Sequence, residues 1–179
     1  MRDASCQYCQ GAFVVCVVVL HQSFHLIVGS MAEIWFYHLE RQSLDDVLPN
    51  LLMRTLERGW RAVVQAGSKE RLDAIDNLLW TFRDDSFLAH GMKRDGRPAM
   101  QPVYLTEDDS NPNGSNIRFL VEGAEMVEAD DYERLVYLFD GADEAALAQA
   151  RVAWKLAKAT EHEATYWRQS EAGRWEKQQ

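Results

Sequence analysis

Between Glu33 and Thr81 the hydrophobic period switches from that of a strand to that of a helix and does so twice, which narrows the possible folds more than any other feature of the chain. Glu33 to Leu39 contains the run IWFY, aromatic and β-branched, and predicts a buried first strand. Ser43 then opens a helix. Ser43-x-x-Asp46 is a capping-box pattern, and Val47, Leu48, Leu51, Leu52, Leu56 and Trp60 carry its apolar stripe, with Pro49 tolerable only near the first turn. Gly59 supplies a stop, AVVQA before Gly67 reads as a short buried strand, and Ser68 caps the next helix. Strand, helix, strand, helix is the pattern of a parallel sheet with helical crossovers.

Downstream, Gly91 to Pro102 is rich in glycine, proline and charge and reads as a loop, followed by strands at Val103–Thr106, Ile117–Glu122 and Tyr132–Phe139. Asp140-Gly141-Ala142-Asp143 breaks the chain before a long alanine-rich helix. The fold class expected is a three-layer α/β sandwich, a mostly parallel, Rossmann-like sheet of about five strands with helices on both faces.

A chain of 179 residues, 47% hydrophobic, can bury a substantial core as one domain. Its net charge of −9 argues against binding nucleic acid through the general surface, since phosphate contacts need concentrated positive charge. All three cysteines, Cys6, Cys9 and Cys16, lie in the first sixteen residues, so the rest of the chain has no disulfide framework, as expected in a reducing cytoplasm.

Residues 1–30 differ in kind from residues 31–179, which are expected to form the single domain. The apolar run from Gly11 to Leu20 is shorter than the ~20 residues that span a bilayer. It fits a signal peptide poorly, because Arg2 is offset by Asp3 and no small-x-small cleavage site follows at the right distance. Cys6, Cys9, His21 and His25 nearly match a Cys2His2 zinc finger, but VVCVVVL is β-branched where the finger needs a helix. The simpler reading is that the strand pattern starts at Met31 and that residues 1–30 are an extension from an upstream start codon.

Chemistry has few candidates. Gly67-Ser68-Lys69 follows a strand and opens a helix, where an α/β fold would place a phosphate, but the first glycine of a P-loop is absent and an ordinary N-cap explains the serine. Paired carboxylates at Asp45-Asp46, Asp84-Asp85, Asp108-Asp109 and Asp130-Asp131 fall in loops and at helix starts, where the helix dipole and solvent account for them. His38, His90 and His162 form no recognisable catalytic pattern with a serine. Two other features point to partners. The segment Arg71 to Gly91 carries more large apolar groups than one helix face can bury: Leu72, Ile75, Leu78, Leu79 and Phe82 face inward, leaving Trp80 and Phe87 directed elsewhere. In the last helix, Arg151, Lys155 and Lys158 form a basic stripe edged by Trp154, opposite a small-residue face of Ala146, Leu147, Ala150, Ala153 and Ala157.

Taken together, MAEIWFYHL at Met31–Leu39, RLDAIDNLLWTFRDDSFLAHG at Arg71–Gly91 and LVYLFDGADEAALAQARVAWK at Leu135–Lys155 resemble the chi subunit family of bacterial DNA polymerase III, over Met31 to about Trp167. The resemblance implies a noncatalytic subunit of a DNA-directed DNA polymerase complex, cytoplasmic, without metal or other cofactor. It implies a heterodimer with the psi subunit, which tethers chi to the clamp loader, through a surface that here contains Leu79, Trp80, Ser86 and Phe87. It also implies a second surface, here Arg151, Trp154, Lys155 and Lys158, that holds the C-terminal tail of single-stranded DNA-binding protein, an acidic peptide ending in an aromatic residue and a free carboxylate. DNA would be reached only indirectly, which reconciles an acidic chain with replication. His90, in SFLAHG, matches a recurrent family feature with a structural, hydrogen-bonding role. Two positions depart from the family pattern: Leu147 stands where a basic residue is expected, and Trp154 where a tyrosine is usual. The alternative from another class is a small nucleotide- or metal-dependent α/β enzyme using the strand-end loops near Gly67 and Asp108.

Overall fold

The structure, a computed structural model, describes residues 31–178; the zinc, signal-peptide and upstream-start readings of residues 1–30 lie outside the described residues. The chain runs β1 (Glu33–Leu39), α1 (Leu44–Glu57), β2 (Ala62–Ala66), α2 (Lys69–Thr81), β3 (His90–Met92), β4 (Val103–Thr106), β5 (Ile117–Val121), β6 (Arg134–Asp140), α3 (Glu144–Lys158), β7 (Glu163–Gln169) and β8 (Trp175–Lys177). The strands form one sheet in the order β3-β4-β2-β5-β6-β1-β7-β8, parallel throughout except for the β7–β8 pair.

The α/β sandwich expected from the sequence is present, with eight strands among the described residues in place of about five. The added strands have a physical reason for escaping notice. β3 is only His-Gly-Met and exists by pairing with β4, inside a stretch read as loop that also holds two short 3-10 turns. β7 and β8 lie at the other edge, where a strand such as EATYWRQ, with four polar residues among its seven, looks like loop until β1 pairs with it.

Local chemistry sets the helix ends. Ser43 Oγ accepts from the Asp46 amide while the Asp46 carboxylate accepts from the Ser43 amide, the reciprocal cap of α1. Pro49 sits in the second turn, so the helix forgoes one backbone bond there. α1 ends at Glu57, and Gly59, with φ +76°, turns the chain so that Trp60 lies past the helix and packs against the core from the loop. Ser68 caps α2 and Asp143 caps α3.

Crossover direction assigns the layers. From β1 through α1 to β2 the chain steps one way along the sheet, and from β6 through α3 to β7 it steps the other. Crossovers of one hand that run in opposite directions place their helices on opposite faces. Accordingly Leu48, Leu52, Leu72, Ile75 and Leu79 from α1 and α2 pack with Val64, Phe119, Val136 and Leu138, whereas Ala150, Ala153 and Ala157 from α3 pack with Phe36, Leu120, Leu135 and Tyr137. The central strands β2, β4 and β5 are buried along their whole length, as a sheet covered on both faces requires.

Within β5 the fully buried residue with the greatest volume is Arg118. Its Nε donates to the Tyr132 hydroxyl (2.8 Å), Nη1 to Gln65 Oε1 (2.6 Å) and the Asp108 carbonyl (3.2 Å), and Nη2 to the carbonyls of Asp109 (2.8 Å) and Ser110 (2.6 Å). One guanidinium therefore ties β2, the loop after β4 and the loop before β6 to the centre of the sheet. Arg118→Met would leave the buried Gln65 and Tyr132 oxygens without their donor and release the loop of residues 108–110, and is expected to cost about 3 kcal/mol or more in urea unfolding. A loss under about 1 kcal/mol would contradict this role.

Candidate functional site

α3 is held against the sheet by small side chains. Ala150, Ala153 and Ala157 let the helix axis approach closely, so its next face, carrying Arg151, Trp154 and Lys155, overhangs the sheet and does not cover it. Beneath that overhang is an open cleft of about 510 Å³. Its walls are Leu147, Arg151, Trp154 and Lys155 from α3, its floor is His38, Phe139 and Tyr166, and Arg168 at the end of β7 stands on the far side.

Trp154 is fixed by two perpendicular aromatic contacts, to Phe36 (centroids 5.1 Å, 80°) and Tyr166 (5.8 Å, 86°). The floor is itself bonded together: the Tyr166 hydroxyl and His38 Nδ1 are 2.8 Å apart, and the His38 ring stacks on Phe139 at 5.0 Å. Gly141 is required beside it, because a Cβ there would collide with the imidazole. Arg151 and Lys155 are exposed and, among the described residues, neither takes part in an ion pair. Lys158 is placed differently from the other residues of the basic stripe: its Nζ lies 3.3 Å from the Ala164 carbonyl and 4.8 Å from the Trp154 ring centroid, so it buttresses the indole and does not line the cleft.

Among the cleft residues that the sequence does not mark as a site are His38, Tyr166 and Arg168. His38 lies far along the chain from the other two, and the available signal is the β1–β7 register, which aligns Phe36 with Tyr166 and His38 with Arg168. Burial holds the His38 pKa below its ordinary value of 6.5, against the opposing pull of Glu40. A group favoured in its neutral form by the fold gives its full stability above pH 6.5, and that contribution declines as pH falls through 6.5 toward the folded-state value. An NMR titration should place the His38 midpoint below 6.5; a midpoint above it would contradict the desolvated cleft floor.

The aromatic cluster occupies the other face, at the end of α2. Trp80 and Phe87 are 57% and 73% exposed with ring centroids 5.8 Å apart, a solvent-facing apolar pair on a rigid base. The base is His90, 4.9 Å from the Trp80 ring, with Nδ1 2.7 Å from the Leu88 carbonyl and Nε2 3.3 Å from Asp76. Leu79 points into the core at 2% exposure, and Ser86 is half-buried with its hydroxyl toward Met53 Sδ. Of the four residues expected on this surface, Trp80 and Phe87 are the ones presented to solvent.

The strand-end loops near Gly67 and Asp108 form a third concavity, of about 870 Å³. A Cβ on Gly67 would lie 2.7 Å from backbone atoms of Gly123, so close chain packing accounts for this glycine. Six carboxylates line the space (Glu107, Asp108, Asp109, Glu125, Glu128 and Asp131), a field that repels phosphate. Among the described residues no three His, Cys, Asp or Glu side chains are arranged to hold a metal ion, and no helix is long and apolar enough to cross a membrane.

The fold and these surfaces define an α/β domain with one apolar and one cationic, aromatic-edged recessed face. The chain belongs to the DNA polymerase III chi subunit family (HolC), whose model matches residues 31–165. It is similar to the probable DNA polymerase III subunit chi of Rickettsia prowazekii (strain Madrid E), 21% identical over 109 residues, which is 61% of this chain and 66% of that relative. The match thus spans just under two thirds of the relative's length.

Proposed function

We propose that this chain is a noncatalytic, cytoplasmic adaptor of the replicative polymerase, joining a psi subunit, and through it the clamp loader, to the C-terminal tail of single-stranded DNA-binding protein. The observation that carries the reading is the cleft under α3, which combines two cations that form no ion pair among the described residues with an edge-packed indole. An acidic peptide ending in an aromatic residue and a carboxylate needs those two things together: a guanidinium to take the carboxylate with parallel hydrogen bonds, and an apolar slot for the ring. Leu147, in place of a cation, leaves the outer wall less positive and favours a modest affinity. The Trp80–Phe87 pair supplies the exposed aromatic anchor that a helical or extended segment of psi would cover.

The two surfaces are on different elements and are expected to fail independently. Arg151→Ala should weaken binding of the tail peptide in calorimetry and leave psi binding intact, and parent affinity should fall as salt rises from 0.05 to 0.5 M, roughly the range over which the Debye length shrinks to a few ångströms. Unchanged tail affinity in Arg151→Ala would overturn this half of the proposal. Trp80→Ala should cost psi binding about 2 kcal/mol while the tail still binds. Because Trp80 is largely exposed, its removal should change folding stability by less than about 1 kcal/mol, so lost binding could not be blamed on unfolding.

A further inference from the structure

On the far side of the cleft from Arg151, the Arg168 guanidinium is engaged by the Glu40 carboxylate through two hydrogen bonds, Nε to Oε2 at 2.8 Å and Nη2 to Oε1 at 2.6 Å. This is the fork-to-fork geometry in which arginine recognises a carboxylate. Arg168 lines the cleft and is still 54% exposed, in contact with water, while Glu40 reaches it from the neighbouring concavity at the end of β1. Glu40 is the residue just after β1, and β1 is paired with β7 through Arg168, so the strand register holds the two side chains together. His38, one residue before Leu39, has its Nε2 3.7 Å from the same carboxylate and, among the described residues, no hydrogen-bond partner for that nitrogen. The cleft therefore carries cations on both sides, but the one on the β7 side is already occupied by a carboxylate belonging to the protein.

Resting on the proposed docking of an acidic C-terminus in this cleft, we infer that Arg168 is a second carboxylate-binding group of the site and that Glu40 is an internal competitor, which the arriving peptide displaces from the guanidinium. The consequence is specificity for peptides with at least two carboxylates. A single carboxylate satisfied by Arg151 gains nothing from Arg168, whereas a second one replaces Glu40 at little net cost, because a solvent-exposed ion pair is only weakly stabilising. A neutral peptide with the same terminal ring meets Glu40 still in place.

The test is calorimetry at fixed pH and salt with a synthetic acidic peptide ending in an aromatic residue and a free carboxylate, applied to the full chain and to Glu40→Gln, Arg168→Gln, Arg168→Lys and the Glu40→Gln/Arg168→Gln double variant. Glu40→Gln is expected to tighten binding about two- to fivefold by freeing the fork. Arg168→Gln is expected to weaken it about three- to fivefold, and Arg168→Lys to fall between, since an ammonium keeps the charge without the fork. The decisive measurement is the double variant: with Arg168 absent, the gain from Glu40→Gln should vanish. A gain that persists undiminished there reflects general charge and overturns the competitor role. Arg168→Gln binding within twofold of the parent overturns the second contact. Both outcomes leave the docking proposal standing as long as the parent binds and Arg151→Ala does not; a parent that fails to bind the peptide overturns both. Thermal melts of each variant separate lost binding from lost fold.

Discussion

A parallel sheet must be covered on both faces, and the described residues hold three helices with which to cover eight strands. α1 and α2 take one face together. Among the described residues the opposite face has α3 alone, helped by the loop after β5 through Ala124, Ala129 and Tyr132. One helix, drawn close by its alanines, cannot roof β6, β1 and β7 at once, so aromatic floor at Phe139, His38 and Tyr166 is left beneath its edge. The cleft is thus a product of the layer architecture, and its ligand chemistry comes from which side chains happen to flank an underfilled layer.

Three arginines show how the same group acquires different work from its surroundings. Arg118 is completely buried with every N–H satisfied by neutral oxygens, and serves as an internal brace. Arg151 projects from a helix into water without an anionic partner among the described residues and is open to a ligand. Arg168 is intermediate, lining the cleft yet held by Glu40, whose carboxyl it keeps below the usual carboxylate range through their hydrogen bonds. In a chain of net charge −9, attraction for an acidic peptide has to be local, because the wider field is repulsive and is screened beyond roughly 10 Å at moderate salt.

The central architecture was legible because it is written in local signals. AVVQA and the apolar run of β6 can hardly be anything but buried strands, and Ser43, Ser68 and Asp143 mark helix starts by capping chemistry. What escaped depends on pairings distant in sequence. β3 has three residues and no pattern of its own, and β7 has four polar residues among its seven, without a regular apolar period. Arg118 sits in an alternating strand, and its burial follows from the loop of residues 108–110 folding back over it, which no spacing announces. The same holds at the cleft: Arg151, Trp154 and Lys155 are neighbours on one helix and could be read as a unit, whereas His38, Tyr166 and Arg168 meet them only through the β1–β7 register. Lys158 shared the helical spacing but turned toward Ala164, a direction fixed by the chain's exit from α3.

The central claim is that the cleft under α3 grips another protein's acidic C-terminus. The most direct measurement is a titration of the full chain with intact single-stranded DNA-binding protein and, in parallel, with the same protein lacking its last residues. Saturable, salt-sensitive binding to the intact protein and none to the truncated one is expected. Equal binding to both, or to neither, would contradict it.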